Sequence, residues 1–221
     1  MNKWGHDASA CLLTRSPGRP LGIEIFLKER LTRKKKAKGP LEPALLPIRG
    51  KTDPARSAYA ENSYLGRPDA IEARLAARHP SYFDQVRELG LEPFYSRFNR
   101  DIGFVSHHRC HALAVAAISP YRKSLVLVID GAGNSVDDFD DDDGELVEFP
   151  RPANARARVG KFMPSEWCSV YLQDGPRVTC VAKEWQYESL DERGRPLPPT
   201  ISLGNLFAEA SRHIFNSPMD A

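Results

Sequence analysis

The stretch Ser124 to Asp130 followed by Gly131-Ala132-Gly133 (SLVLVID-GAG) constrains this chain more than any other. A continuous apolar run of strand length reads as a strand buried on both faces. Just ahead of it, His107 to Ile118 is rich in Ala and Leu and reads as a helix. Ser119-Pro120 ends that helix, because the residue before a proline is biased away from helical geometry. A helix feeding a buried strand points to an α/β fold. In such folds ligands bind beyond the carboxyl ends of the strands, where Asp130 stands. Asp-Gly is also a common turn former, so Asp130 reads either as a ligand or as a turn residue.

The helix carries Ser106-His107-His108-Arg109-Cys110-His111. Positions i and i+4 share one helix face, so His107 and His111 are placed to point at one metal ion. His108 is turned away by about 100° and does not join them. The bland alternative is a pair of surface or core histidines. Two imidazoles and the Asp130 carboxylate, with positions left open, suit Fe(II), Zn or Mn. Gly131 and Gly133 permit a close backbone approach to a phosphate. A DGxG turn alone is also common in hairpins. Near the start, His6-Asp7 precedes Ala8-Ser9-Ala10. A His–Asp pair suits a base that takes a proton from a hydroxyl, and an incidental polar loop is the alternative.

Elsewhere the pattern is weaker. Ser9 to Leu13 and Leu21 to Leu27 read as a hairpin, with the turn at Ser16-Pro17-Gly18-Arg19-Pro20. Residues 34–67 are polar and proline-rich and read as a loop or insertion. Helices are expected over Asp69 to Ala77, Tyr82 to Leu89 and Ser202 to Phe215, and a short strand over Ile102 to Val105. Residues 151–200 form an uncertain insertion, with possible strands at Trp167 to Leu172 and Val178 to Trp185. Arg33 to Lys38 and Asp137 to Asp143 are charge runs that read as solvated loops.

A formal net charge of +2 over 221 residues gives no overall pull toward nucleic acid or acidic lipid. The four cysteines form no CxxC pair, which argues against a zinc ribbon or disulfide scaffold. No signal-peptide core follows Met1, and the longest strongly apolar stretch is too short to span a bilayer. A cytoplasmic protein without membrane partners is the expectation.

Three separated motifs together resemble O-carbamoyltransferases of the NodU/CmcH type. HDASACLL at 6–13 is similar to the opening motif of that family, and KERLTRKK at 28–35 is similar to its EERLTR segment. HHRCHALAVAA, with Asp130 of IDGAG nineteen residues after His111, is similar to its HHxxHA and DGxG pair. Ser202-Leu203-Gly204 adds a weaker match. The matched blocks fall within residues 5–36, 102–134 and 200–221, fewer than half of the chain.

The resemblance implies an actin-like ATPase fold of the ribonuclease H-like (ASKHA) class, present here as residues 1–221 of an incomplete N-terminal domain. It implies transfer of a carbamoyl group from carbamoyl adenylate to a hydroxyl of a sugar, antibiotic or similar small molecule. The adenylate is made from ATP and carbamoyl phosphate by a C-terminal YrdC-like domain. By this resemblance His107, His111 and Asp130 are ligands of iron, His6 and Asp7 sit by the acceptor hydroxyl, and Gly131 and Gly133 line the nucleotide phosphates. The YrdC-like half is absent from these residues, so the chain is expected to be a fragment or one half of a split enzyme. Alone it is expected to make no carbamoyl adenylate and to bind metal weakly. Two other readings remain: a related tRNA threonylcarbamoyl transferase, whose basic run would meet RNA phosphates, and an inactive remnant or binding module.

Overall fold

The computed structural model describes residues 1–5, 8–35, 37, 42–63, 66–135, 138, 141, 165–186 and 203–215. The chain divides into two compact units, Met1–Val105 and Ser106–Ala221. Each has its own small sheet and its own core, and together they make a mixed α/β chain.

In the first unit, β1 (Ser9–Thr14) and β2 (Gly22–Leu27) form the expected antiparallel hairpin, with Ser9 opposite Leu27. Gly18 in the connection has φ +70°, a conformation that favours glycine. Then come α1 (Lys28–Thr32), α2 (Glu42–Arg49), β3 (Tyr59–Asn62), α3 (Pro68–Arg78), α4 (Tyr82–Glu88) and β4 (Ile102–Val105). β3 and β4 are parallel, with Tyr59 opposite Ile102, and α3 and α4 supply the crossover that parallel neighbours need. Asn2 bridges Ser9 in antiparallel and Asn62 in parallel fashion. The backbone order is therefore β2, β1, the Asn2 segment, β3, β4.

Residues 34–67 are not a plain loop, because they contain α2 and β3. The prolines hid the helix. Pro43 sits in its first turn, where a missing N–H costs nothing, and Pro47 lies inside an element of only eight residues. Its Ala44, Leu45 and Ile48 are buried with Phe83, Val86, Phe94 and Tyr95. Phe83 meets Tyr95 and Phe98 edge-to-face at centroid distances of 6.1 and 5.8 Å. Lys3 is fully buried in this unit. Its Nζ lies 2.7 Å from Glu61, 3.0 Å from Glu72 and 2.7 Å from the Phe94 carbonyl, over the Tyr95 ring at 4.4 Å. Burial raises the Glu61 carboxyl to about 7, although Lys3 opposes the shift.

The second unit holds α5 (His107–Ile118), β5 (Lys123–Ile129), β6 (Ser165–Asp174), β7 (Arg177–Gln186) and α6 (Leu203–Phe215). The strands form an antiparallel sheet in the order β5-β6-β7, with Leu127 opposite Val170. Ala112 of α5 packs with Val126, Val128, Tyr171, Val178 and Cys180 of the sheet. β5 is buried on one face only. Val126 and Val128 are inside, whereas Leu125 and Leu127 are 69% and 59% exposed. The expectation of a strand covered on both faces is corrected: the antiparallel sheet carries one helix layer among the described residues. Asp141 is also corrected. It is fully buried, not part of a solvated turn. Among the described residues, no helix is long and apolar enough to cross a membrane.

Candidate metal centre

Ser106 caps α5, with its hydroxyl accepting the Arg109 N–H at 3.4 Å. The first helical turn starts at His107, which puts His107 and His111 on one face. Asp130 follows the last residue of β5. Its N–H donates to the Trp167 carbonyl at 2.9 Å. Trp167 is the extra residue of a bulge, since Glu166 pairs with Trp185 and Cys168 with Glu184. The bulge therefore helps to set where the Asp130 carboxylate stands.

The three side chains converge. His107 Nε2 is 2.9 Å from Asp130 Oδ2, His111 Nε2 is 3.3 Å from His107 Nε2, and His111 Nε2 is 3.9 Å from Asp130 Oδ2. With metal–ligand bonds of about 2.1 Å, two ligand atoms stand about 3.0 Å apart in an octahedron and about 3.4 Å apart in a tetrahedron. The 2.9 and 3.3 Å spacings match these values and the 3.9 Å spacing is wider, so the three atoms form a group that could hold one ion. Proton counting supports the same reading. The His107 Nε2–H that donates to Asp130 leaves no lone pair on that atom for His111. Two ring nitrogens and a carboxylate oxygen thus face one point, where a cation would take a lone pair from each.

The electrostatics suit ligands. The hydrogen bond from His107 holds Asp130 down at about 2, against the opposing effect of burial, and the Gly131 N–H assists. Burial, followed by the neighbouring His107, lowers the His111 pKa and keeps its ring neutral. Asp130 is 35% exposed and His111 54% exposed at the side chain, so the cluster is open on one side. A hollow of about 260 Å³, lined by His111, Val115, Leu127, Val128, Ile129 and Asp130, adjoins it.

His108 points away, as the helical period requires. It is fully buried, and its Nδ1 lies 2.7 Å from Ser169 Oγ. Burial, then the Lys183 charge, pushes its pKa down to about 3, so the ring is neutral. Beneath the centre runs a polar network for which the sequence holds little signal. Glu166 accepts N–H bonds from His108 at 3.3 Å and Asn134 at 3.1 Å, and it pairs with Lys183. Lys183 also lies 2.7 Å from Asp141, which accepts from Tyr171 Oη at 2.6 Å and from Ser106. Asn134 Oδ1 accepts the His107 N–H at 2.6 Å. Glu166 and Lys183 meet only through the pairing of β6 with β7. Outside the Ser106–His111 motif, Asp141 carries a sequence signal, and that signal suggests solvent.

The two glycines differ. At Gly131 a Cβ would meet nothing within 4 Å. At Gly133 it would fall 2.5 Å from Glu166 and 2.8 Å from the His108 ring. Gly133 is thus glycine for packing, whereas Gly131 faces open space. His6 and Asp7 lie outside the described residues. No protein-family model and no curated protein matches the chain.

Proposed function

We propose that this chain is the metal-holding, N-terminal part of an O-carbamoyltransferase of the NodU/CmcH type. The observation that carries the proposal is the convergence of His107, His111 and Asp130 on one point. The sheet order of the first unit, a hairpin continued across the Asn2 segment into a parallel pair, supports the actin-like part of the reading.

Bound by these three residues, an Fe(II) ion, with Zn or Mn as alternatives, supplies charge neutralisation to phosphate oxygens of carbamoyl adenylate. Asp130 stays ionised and His111 neutral, so both present lone pairs at neutral pH. Gly131 leaves room for a phosphate where a side chain would stand. The open hollow beside His111 offers the ligand the apolar side chains of Val115, Leu127 and Ile129. By the family resemblance, the His6-Asp7 pair supplies the base for the acceptor hydroxyl, whose oxygen bonds to the carbamoyl carbon as its proton is taken up. The carbon–oxygen bond to the phosphate breaks, and AMP leaves.

Anaerobic Fe(II) or Co(II) titration of the purified chain tests the centre. One ion per chain is expected, with uptake lost in His111→Ala and Asp130→Asn; equal uptake by a His107→Ala/His111→Ala/Asp130→Asn triple variant sinks the site. Chemically supplied carbamoyl adenylate and a panel of hydroxyl acceptors test the transfer, without need of the adenylate-forming half.

A further inference from the structure

The proposed transfer chemistry makes no use of a cleft in the unit Met1–Val105. Its volume is about 510 Å³, and Arg87, Arg97, Arg100, Ser96, Phe98 and Asp69 stand on its walls. A smaller recess of about 140 Å³ shares Arg100 and Ser96 and adds Arg67, Ile102 and Phe104. We propose that this cleft binds a phosphate-bearing small molecule, with Arg97 and Arg100 gripping a di- or triphosphate and the recess taking the rest of the ligand.

The charge balance comes first. Three guanidinium groups line the cleft, and the acids beside them are committed elsewhere. Glu72 is buried and held by Lys3 at 3.0 Å and by the Ser96 and Arg97 N–H groups at 3.2 and 2.7 Å. Asp69 lies 3.5 Å from Arg67. Arg87 has an exposed partner, Asp84, at 3.2 Å. Among the described residues, Arg97 and Arg100 have no carboxylate within ion-pair distance. The local field is therefore positive, although the whole chain is almost neutral.

Preorganisation comes next. The Arg97 guanidinium lies over the Phe83 ring at 5.1 Å, and that of Arg87 over Phe98 at 4.9 Å. A guanidinium held over a ring keeps its N–H edge available for a planar, two-pronged grip on an oxyanion. Ser96 contributes a hydroxyl that is shielded from solvent and has no hydrogen-bond partner among the described residues. A buried hydroxyl without a partner carries a cost that a ligand oxygen relieves. Ile102 and Phe104 give the adjoining recess apolar and aromatic surface for a ligand's uncharged portion.

Calorimetric titration of the full chain in chelator and ~150 mM salt, with inorganic triphosphate, pyrophosphate and ATP as probes, tests the cleft. Chelator removes any contribution from the metal centre. Saturable binding of triphosphate at one site per chain is expected, with ATP competing for it. Arg97→Gln/Arg100→Gln should weaken binding roughly tenfold or more. Lys34→Gln/Lys35→Gln, which removes two exposed charges outside the cleft, should leave it within about twofold. Arg97 and Arg100 are exposed, and equal melting temperatures for the two double variants exclude unfolding. Should melting shift, Arg97→Lys/Arg100→Lys separates the effects: it keeps the charge, loses the fork and should bind in between. Equal weakening by both glutamine pairs, no saturable binding of any probe, or tight binding of a short RNA without any of the three anions overturns the assignment.

Discussion

Gly131 and Gly133 lie two residues apart in one turn, and the space around their α-carbons differs completely. A methyl group at Gly133 would drive into Glu166, and Glu166 cannot swing aside because Lys183, His108 and Asn134 all hold it. Gly133→Ala is expected to cost about 1–3 kcal/mol, as other overpacked sites do. Gly131→Ala, which meets open space, should stay within about 0.5 kcal/mol. Urea unfolding of the two variants checks the contrast, and equal losses would refute it. At this scale the sequence was informative where chemistry is local. The pairing of His107 with His111, and the rotation of His108 away from them, follow from the helical period alone. Glu166 and Lys183 were invisible, because only strand pairing brings them together beneath the helix.

At the level of elements, the first turn of α5 is tied to the loop after β5. Asn134 accepts the His107 N–H, while Glu166 accepts from the next residue, His108. One helix end is thereby fixed relative to the strand end that carries Asp130. Asn134→Ala should weaken metal binding roughly tenfold, the scale seen when supporting hydrogen bonds around a metal site are removed. Asn134→Asp keeps the acceptor and should restore most of the affinity. Co(II) titration monitored by visible absorption reads both variants, and identical affinity in Asn134→Ala would remove Asn134 from the supporting role. The elements were largely legible. The hairpin, α3 to α6, β4 and β5 lie near their expected places, because each has a period or a stop signal; β6 and β7 fall where the weak pattern of residues 151–200 allowed strands. α2 was missed because its prolines imitate a loop. The apolar run of β5 marks a strand, but an unbroken run of this kind does not reveal whether one layer or two will cover it.

For the molecule as a whole, two small cores, each with a buried polar centre, replace one large core. In the first unit, Glu61 holds its proton up to about 7 when folded, against an ordinary value of 4.5. Between those two values the folded state binds the proton more tightly than the unfolded chain does. Stability should therefore decline as pH rises through this window and level off above it. Glu61→Gln should flatten that part of the profile. Thermal unfolding from pH 4 to 8 measures it, and an unchanged slope in the variant would assign the effect to another group. The division into two units was not legible, since the sequence at 105–106 has no linker composition. β4 ends one unit and Ser106 opens the other in adjacent residues.

Among the described residues β2 borders its sheet, and it carries Ile23, Ile25 and Leu27 toward solvent, with Leu13 joining them from β1. A rim dressed in aliphatic residues invites another rim like itself. In concentrated solution that tendency is expected to draw copies of the chain together, so a titration run at high protein concentration would mix clumping with ligand uptake. Dilute samples, or a lysine in place of Ile25 to roughen the margin, keep the two processes apart.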